Sequence, residues 1–428
     1  MKRDELQRRL LGGRREELRQ LAQRSRELVL LSAGVGVVTG LGVAAFERVV
    51  DHVLLERVMD LPVALLAVTP LLGLVLAAAA RRFLGGAEVD PATTDEYLRA
   101  FHDPGHHLGL RALAARITAA LATLGSGGPM GMEGPSLYLG ASLGSAVQRR
   151  WPKLLRKADH RTLLLAGAAA GVAAIFKAPA TGAVFALEVP FRDDLARRML
   201  LPSLVSAASG YLAFVAVNGT TPLFEAQGDP AFNLRDLLGA VVLGVVAGVG
   251  ARLFALAVRG AKVWAVRPIT VRLVAAGPVL VGAYLLGRLL TGEDLVLGSG
   301  YELVHWASDT DRGVWVLLGL LVLRSLATAA TVAGAGVGGL FVPLVAAGAL
   351  VGRIVGQSVH SLDTSLFTVV GVAAFLGAGY RVPLAAVMFV AETTGRPGFV
   401  VPGLLAAVAA ELMMGRASIT TFQVPANR

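Results

Sequence analysis

The chain has 428 residues, of which 55% are hydrophobic and 16% are charged, and it contains no cysteine. Since a soluble domain carries about a quarter charged residues, this composition excludes a disordered or disulfide-stabilised chain and favours a polytopic helical membrane protein. The net charge of +10 comes from the amino-terminal stretch and from short basic stretches between apolar segments, which fits cytoplasmic segments and not a nucleic-acid-binding surface.

The two ends of the chain are polar. Residues 1–27 are rich in basic side chains and predict a cytoplasmic amphipathic helix, since the short apolar core and small-residue cleavage site of a signal peptide are missing. Residues 415–428 follow the last apolar segment, and we expect them to be a short cytoplasmic tail without a regulatory domain.

Nine long apolar segments predict membrane-crossing helices, because each span needs about 20 mostly apolar residues. They cover residues 28–49, 61–80, 109–125, 162–176, 199–217, 236–258, 273–290, 313–334 and 400–414. Five shorter segments are interrupted by glycine or proline, and we expect broken or half-spanning helices there. They cover residues 135–148, 179–189, 343–356, 366–379 and 383–391.

The charges of the loops predict their sides of the membrane, since loops rich in Lys and Arg stay in the cytoplasm. The basic loops contain Arg149, Arg150, Lys153, Arg156, Lys157 and Arg161, then Arg192, Arg197 and Arg198, then Arg259, Lys262, Arg267 and Arg272. Residues 218–234 and 292–311 contain no Lys or Arg, so we expect both stretches to be external.

Two sequence motifs occur twice in the same order, which indicates an internal repeat. Residues 131–144 match residues 339–352 at an offset of 208, with glycines and a proline in equivalent places. Residues 177–188 match residues 381–392 at an offset of 204.

The repeat divides the membrane region into residues 28–217, an external loop at residues 218–234, and residues 235–414. The predicted fold class is an all-α polytopic membrane protein. Membrane proteins with internal repeats commonly hold their substrate at the repeat interface, on the ends of discontinuous helices. The pattern therefore predicts a transporter or channel.

Pro135 and Pro343 are each expected to begin a helix, because proline suits the first helical position. The backbone N–H groups just before each proline are then free at a positive helix end. Two such ends meeting inside the membrane suit a small anion better than a cation. The glycines at positions 131, 134, 336, 338 and 339 allow the backbone to approach the ion closely.

Glu133 stands at the start of the first of these helices and is the candidate gate. An acidic side chain inside a membrane is costly and marks a functional site by default. Its carboxylate can take the place of an anion, and protonation would release that place, so one residue would serve as gate and as proton acceptor. The alternative is a carboxylate that only stabilises the helix dipole.

Four charged residues of the second motif have more ordinary expected roles. Lys177 and Arg381 each precede a proline by two residues, and we expect them to contact helix-end carbonyl groups instead of an anion. Glu188 and Glu392 close the same motif, and we expect them to pair with nearby basic residues.

A histidine cluster is the nearest approach to a metal site in the sequence. His102, His106 and His107 lie close together, but Pro104 and Gly105 interrupt any helix through them. We therefore expect a solvated loop there, and no metal or other cofactor.

At these motifs the sequence resembles the CLC family of chloride channels and chloride/proton antiporters. Gly131-Met-Glu-Gly-Pro135 is similar to the family motif Gly-Arg-Glu-Gly-Pro, whose glutamate is the gate, and Gly339-Leu-Phe-Val-Pro343 is similar to its Gly-x-Phe-x-Pro motif. The stretch from Gly167 to Glu188 follows at the family's spacing. The resemblance covers about residues 28–423.

The resemblance implies two inverted repeats of tilted and discontinuous helices, in a homodimer with one pore in each subunit. It implies a multi-pass protein of the inner (plasma) membrane, surrounded by lipid, with both termini in the cytoplasm. The implied gate is Glu133. The implied anion-binding residues are Gly131, Met132, Gly134, Leu340, Phe341, Val342 and Thr420.

Four positions depart from the family's pattern. Met132 stands where arginine is usual, and Thr420 replaces the central tyrosine. The family's Gly-Ser-Gly-Ile-Pro motif is missing from the first half, and Ala87 falls where its coordinating serine would stand. Val189 replaces the inner proton-carrying glutamate of the antiporters. Ser299, in a Gly-Ser-Gly triplet of the second half, is not assigned to the anion site.

The function expected from these residues is the passage of chloride, or another small anion, through a pore gated by Glu133. Because Val189 cannot carry a proton, we expect channel-like or weakly proton-coupled passage. With Ala87 and Thr420 in place of the side-chain ligands, backbone N–H groups would carry more of the coordination, which predicts weak discrimination among anions. The alternatives are a tightly coupled chloride/proton or fluoride/proton antiporter, a cation-coupled transporter of organic solutes and, more remotely, a membrane-embedded enzyme.

Overall fold

The computed structural model describes residues 26–85, 90–151, 159–221, 223–224, 232–308, 312–359 and 364–425. Over these ranges the chain forms sixteen helices and no β-strand. In chain order the helices are α1 (Arg26–Met59), α2 (Val63–Gly85), α3 (Thr93–His102), α4 (Leu110–Gly125), α5 (Glu133–Arg150), α6 (Thr162–Phe176), α7 (Pro179–Glu188), α8 (Leu200–Asn218), α9 (Leu234–Val263), α10 (Ile269–Thr291), α11 (Tyr301–Ser308), α12 (Val314–Ala333), α13 (Phe341–Ser358), α14 (Thr364–Tyr380), α15 (Pro383–Thr394) and α16 (Val400–Met414). The predicted amino-terminal helix, apart from its last two residues, and Ala87 lie outside the described residues.

Eight of the helices in the described ranges are long and apolar enough to cross a membrane, namely α1, α2, α8, α9, α10, α12, α13 and α16. Seven of them match seven of the nine predicted long segments. The other two, α4 and α6, are shorter: α6 has 15 residues, so it is about 22 Å long against a hydrocarbon core of about 30 Å. In contrast, α13 has 18 residues where a half-spanning helix was predicted, because the helix begins two residues before Pro343 and continues past Gly356.

Two short helices lie in stretches where the sequence predicted no helix. Helix α3 carries Asp95, Glu96 and Arg99, and this polar composition gives no apolar segment that would predict a helix. Helix α11 lies inside the stretch 292–311 that was expected to be an external loop. Both helices matter for the site, since each lines a cavity described below.

The two repeats pack through glycines in equivalent positions. In the first repeat, a methyl group at Gly140 would fall 2.0 Å from the carbonyl oxygen of Gly167, so α5 and α6 touch backbone to backbone. In the second repeat, a methyl group at Gly348 would fall 2.5 Å from the carbonyl oxygen of Gly371, which joins α13 to α14 in the same way. The sequence offsets of 208 and 204 therefore correspond to a repeated packing unit. Small residues allow this close approach between helices in a membrane.

Helices α7 and α15 show that the repeats are inverted. The carboxylate of Glu188, at the end of α7, accepts hydrogen bonds from the backbone N–H groups of Leu384 and Ala385, at the start of α15, at 3.2 and 2.9 Å. The carboxylate of Glu392, in the last turn of α15, accepts hydrogen bonds from the N–H groups of Ala180 and Thr181, at the start of α7, at 2.9 and 2.6 Å. Because each helix ends where the other begins, the two run antiparallel.

Candidate functional site

Glu133 lies at the meeting point of the two repeats. It opens α5, and its side chain is buried, with 3% of the residue exposed. One carboxylate oxygen, Oε1, accepts a 2.6 Å hydrogen bond from the backbone N–H of Phe341, the first residue of α13. The backbone N–H groups of Glu133 itself and of Val342 also face this carboxylate. A negative side chain of the first repeat thus occupies the positive end of a helix of the second repeat.

Two glycines form a cradle for this carboxylate. Gly131 and Gly339 exchange a pair of backbone hydrogen bonds, of 2.9 Å from Gly131 N and 2.7 Å from Gly339 N. A methyl group at Gly131 would lie 1.9 Å from Glu133 Oε2, and one at Gly339 would lie 1.9 Å from Oε1. The repeated motif therefore brings its two copies into direct contact, and only glycine leaves room for the acidic side chain between them.

The second carboxylate oxygen of Glu133 is left without a hydrogen-bond partner. Oε2 is buried, and no donor among the described residues reaches it. Buried charged oxygens are usually satisfied, and an exception calls for an explanation. A carboxylate that is bound through one oxygen only, in a site built for an anion, is held loosely enough to leave.

Most of the predicted anion-binding residues come together here. Gly134 lies against Gly339, since a methyl group at Gly134 would fall 2.9 Å from the Cα of Gly339. Met132 is the residue that caps α5, and Leu340 caps α13. The structure therefore places the stretches 131–134 and 339–342 around one point. Their role in binding an anion stays a prediction.

A cavity of about 300 Å³ lies on one side of this point, and we refer to it as the Lys262 cavity. Its wall includes Thr94, Asp95, Met130, Lys262, Arg272, Leu340, Tyr380 and Thr420. Lys262 Nζ donates to Asp95 Oδ2 at 2.5 Å and to the carbonyl oxygen of Ile419 at 2.9 Å. Lys262, in the last turn of α9, and Arg272, near the start of α10, lie on either side of a connection that is expected in the cytoplasm, so we expect this cavity to open there.

Thr420 lines the Lys262 cavity, as its predicted role requires, but its hydroxyl is engaged elsewhere. The Thr420 and Ser418 hydroxyl oxygens are 2.9 Å apart, and Ser418 donates its own proton to Gln423 Oε1 at 2.7 Å. The Thr420 hydroxyl must therefore donate to Ser418.

A second cavity, of about 590 Å³, lies among residues expected on the external side. It is acidic, with Asp51, Glu56, Asp60 and Glu302 in its wall, and we refer to it as the acidic cavity. Ser299 lines this second cavity and not the Lys262 cavity, as expected for a serine outside the anion site. Tyr301, another lining residue, lies within electrostatic range of Glu133.

The charged residues of the second motif have structural partners. Lys177 Nζ donates to the carbonyl oxygen of Thr221 at 3.1 Å. Arg381 donates to the carbonyl oxygen of Gly415 and pairs with Asp193 and Glu411. Gly415 directly follows α16, so Arg381 makes the expected helix-end contact, whereas Lys177 contacts a carbonyl group three residues beyond the end of α8. The expectation for Glu188 and Glu392 was wrong, because both bind helix N-termini and not basic side chains. A sequence pattern gives no sign of a partner about 200 residues away.

The histidines behave as separate side chains. His102 is the last residue of α3, and its Nε2 lies 2.8 Å from the carbonyl oxygen of Pro190. His106 Nε2 lies 3.1 Å from Glu96 Oε2. Within the described part of the chain, no group of three metal-binding side chains occurs.

Tyr380 is a site residue that the sequence analysis missed. It ends α14, its side chain is fully buried, and it lines the Lys262 cavity next to Leu340. It also belongs to an aromatic cluster that includes Phe176, Phe185, Phe341 and Phe389. The available signal was the repeat itself: at the offset of 204, Tyr380 corresponds to Phe176, so a hydroxyl is added at one of two equivalent positions.

Comparison with known proteins gives one family. The sequence profile described as voltage gated chloride channel matches residues 72–415. The H(+)/Cl(-) exchange transporter ClcA of Salmonella paratyphi B is 28% identical over 94% of this chain and 88% of its own length. The ClcA protein of Salmonella typhimurium strain LT2 has the same identity and coverage.

Solved structures share the fold. A CLC-type fluoride/proton antiporter superposes with a TM-score of 0.78 at 22% identity, over 94% of this chain and 98% of its own. A slow cyanobacterial Cl-/H+ antiporter superposes with a TM-score of 0.77 at 21% identity, over 90% and 94%. A eukaryotic CLC transporter gives 0.75 at 21% identity, over 91% of this chain and 72% of its own.

Proposed function

This chain belongs to the voltage-gated chloride channel family, and we propose that it carries chloride and other small anions across the membrane along a pathway gated by Glu133. Membership of an ion-channel family makes ion passage, and not the chemical conversion of a substrate, the activity to explain. The observation that carries the proposal is the Glu133 carboxylate on the N-terminus of α13, with one oxygen bound and the other unpartnered among the described residues.

The gating step follows from charge. While Glu133 is ionised, its carboxylate holds the N–H of Phe341 and blocks the place that an anion would take. A proton from the solution added to Oε2 removes the negative charge and with it most of the attraction to the helix end. The neutral side chain then leaves, and the anion takes over the N–H groups of Phe341 and Val342.

Two observations favour channel-like or weakly proton-coupled passage. Val189 is fully buried and has no titratable group, so it offers no stopping place for a proton. Glu188, the next residue towards the amino terminus, has both carboxylate oxygens bound to the start of α15. Leaving that position would expose two buried N–H groups, each at a cost of about 1–3 kcal/mol. Glu188 is therefore a poor substitute for a proton-carrying side chain.

Tightly coupled chloride/proton or fluoride/proton antiport is the second candidate, and one side chain favours it. Glu411 on α16 pairs with Arg381 through Oε1 at 2.8 Å. Its Oε2 is buried and finds no donor in the described part of the chain. A carboxylate with a spare oxygen, within electrostatic range of Glu188 at the end of α7, can accept a proton. The relatives named as exchange transporters support the same candidate.

The test uses the purified protein in liposomes. With chloride inside, we expect anion efflux well above that of empty liposomes, and nitrate and bromide should also pass. If none of chloride, nitrate, bromide and fluoride leaves faster than from empty liposomes, the proposal is wrong.

A chloride gradient imposed on the same liposomes separates the two candidates. We expect little uphill proton movement at a pH electrode. Robust uphill pumping, lost in Glu411→Gln, would instead establish the antiporter.

We further propose that the protein acts as a homodimer in the inner (plasma) membrane, with both termini in the cytoplasm. The exposed apolar faces of α9 and α10 would contact lipid or the second subunit; Leu253 and Leu289 are 63% and 82% exposed. Cross-linking of the purified protein in detergent should give a dimer band, and a monomer only would contradict this arrangement.

A further inference from the structure

The Tyr380 side chain is held rigidly at the inner end of α13. Its ring packs edge-on against Phe185, with 5.4 Å between ring centroids, and lies tilted against Phe341 at 6.3 Å. Its backbone is fixed as well, since Gln423 Nε2 donates to the carbonyl oxygen of Tyr380 at 2.7 Å. The N–H of Ile419 also donates to the carbonyl oxygen of Gly379, the residue before Tyr380, at 3.1 Å. Its hydroxyl is therefore preorganised and needs no rearrangement to meet a ligand.

The hydroxyl of Tyr380 points at the positive end of the same helix that holds Glu133. It lies within hydrogen-bonding reach of the backbone N–H of Leu340 and of the Thr94 side chain. Leu340 is the residue before Phe341, whose N–H binds the Glu133 carboxylate. Two consecutive N–H groups at the start of α13 thus face two oxygens, one from each repeat: a carboxylate oxygen from the first and a tyrosine hydroxyl from the second.

The hydrogen-bond inventory distinguishes Tyr380 from Thr420. A hydroxyl has one proton to donate. Ser418 gives its proton to Gln423, so Thr420 must give its own proton to Ser418 and has none for an anion. Tyr380 borders the Lys262 cavity, and its hydroxyl has the N–H of Leu340 and the Thr94 hydroxyl within reach. When Thr94 donates its proton to the Tyr380 oxygen, the Tyr380 proton is free to turn towards an anion.

We propose that the Tyr380 hydroxyl is the side-chain ligand of the permeant anion at the Lys262 cavity, in the place that the sequence assigns to Thr420. This inference rests on the proposed function, since it concerns the same pathway. An anion entering from the Lys262 cavity accepts the Tyr380 O–H and takes over the N–H of Leu340 from the tyrosine oxygen. A hydroxyl ligand is therefore restored from the second repeat, and the coordination does not depend on backbone N–H groups alone.

The first test is anion affinity, measured by titration calorimetry with chloride in detergent. Tyr380→Phe removes the hydroxyl and keeps the ring that packs on Phe185 and Phe341. Because a hydrogen bond to a charged group is lost, we expect the dissociation constant for chloride to rise about tenfold or more. Thr420→Val should raise it several-fold less than Tyr380→Phe does. Tyr211→Phe, a hydroxyl removal on α8 away from both cavities, is the matched control.

The outcomes separate the two proposals. If the unmodified protein neither binds nor conducts anions, the proposed function fails. If the unmodified protein binds chloride and Tyr380→Phe binds it equally well, the inference about Tyr380 alone is overturned. A larger loss in Thr420→Val than in Tyr380→Phe would return the ligand role to Thr420.

A second measurement needs no variant and so remains valid if Tyr380→Phe does not fold. Crystals of the unmodified protein grown with bromide should show an anomalous peak in contact with the Tyr380 hydroxyl oxygen and Leu340 N. A bromide peak that contacts Thr420 Oγ1 and lies away from Tyr380 would contradict the inference.

Discussion

Three carboxylates of this protein bind the N-terminus of a helix from the other repeat, yet they form two different kinds of junction. At Glu392, both oxygens are satisfied, because Oε1 accepts from Ala180 N and Oε2 accepts from Thr181 N and from the Thr181 hydroxyl. Glu188 likewise uses both oxygens. Glu133 uses Oε1 only, and its Oε2 faces the glycine cradle without a donor from the described residues.

The difference shows how one kind of interaction can serve as a lock or as a gate. Glu188 and Glu392, whose oxygens are all bonded, hold α7 against α15. Moving either side chain away breaks several hydrogen bonds. Glu133, which is bound through one oxygen, can leave its place after breaking only one or two hydrogen bonds. Completeness of hydrogen bonding, and not the helix dipole that all three share, separates the structural carboxylates from the functional one.

The largest expected effect is a loss of stability when Glu392, one of the two structural carboxylates, is removed. Glu392→Ala leaves the N–H groups of Ala180 and Thr181 without their partner, and we expect the free energy of unfolding to fall by about 2–4 kcal/mol. Unfolding of the detergent-solubilised protein with denaturant measures this loss. Glu56→Ala, which removes an exposed ion pair with His52, is the control and should cost about 1 kcal/mol or less. If the two variants are equally stable, the Glu392 junction does not stabilise the fold, and the distinction between structural and gating carboxylates fails.

The next largest effect is a change in anion efflux, in a variant that keeps the Glu133 side chain. In Gly131→Ala, the three atoms nearest to the new methyl group all belong to the Glu133 carboxyl group, at 1.9, 2.7 and 2.9 Å. The side chain should be displaced from α13 while the backbone stays in place. Because one hydrogen bond to a charged group is lost, we expect anion efflux from liposomes at neutral pH to rise about tenfold.

The control for this variant is Gly282→Ala on α10, where a new methyl group meets no atom within 4 Å. It should leave efflux unchanged. Slower efflux in Gly131→Ala, in protein that elutes as a single peak from gel filtration, would mean that the carboxylate does not block the pathway.

The smallest effect tests a single hydrogen bond of the Glu392 junction. Thr181→Val removes the hydroxyl that donates to Glu392 Oε2 at 2.6 Å and keeps the backbone N–H bond. We expect a loss of about 1 kcal/mol in unfolding free energy and no change in efflux. A change in efflux without a loss of stability would assign the Glu392 junction to the gate.

Much of this architecture could be predicted from the sequence, because its signals are local. Apolar segments of about 20 residues gave seven of the eight candidate spans, and the glycines and prolines at fixed offsets gave the repeat. Glu133 could be identified because a carboxylate is rare between apolar segments. Helix lengths were less predictable: α13 continues past glycines that suggested an interruption, since those glycines serve close packing instead.

The partners across the repeat interface could not be predicted. Glu188 and Glu392 bind N–H groups about 200 positions away, and backbone donors carry no sequence signature. Tyr380 was overlooked because its ring fits an apolar segment, and only its direction in space brings the hydroxyl to Leu340. Thr420 was assigned a role by position, while the hydrogen bonds that engage its hydroxyl depend on Ser418 and Gln423.

The most direct test of the gate is the pH dependence of chloride efflux in the unmodified protein and in Glu133→Gln, which resembles the protonated side chain. As the pH falls, protonation of Glu133 should open the pathway, so efflux from liposomes of the unmodified protein should accelerate. Glu133→Gln should be at least as fast at neutral pH and should show little further change on acidification. If Glu133→Gln abolishes efflux, or if it keeps the same pH dependence as the unmodified protein, Glu133 is not the gate.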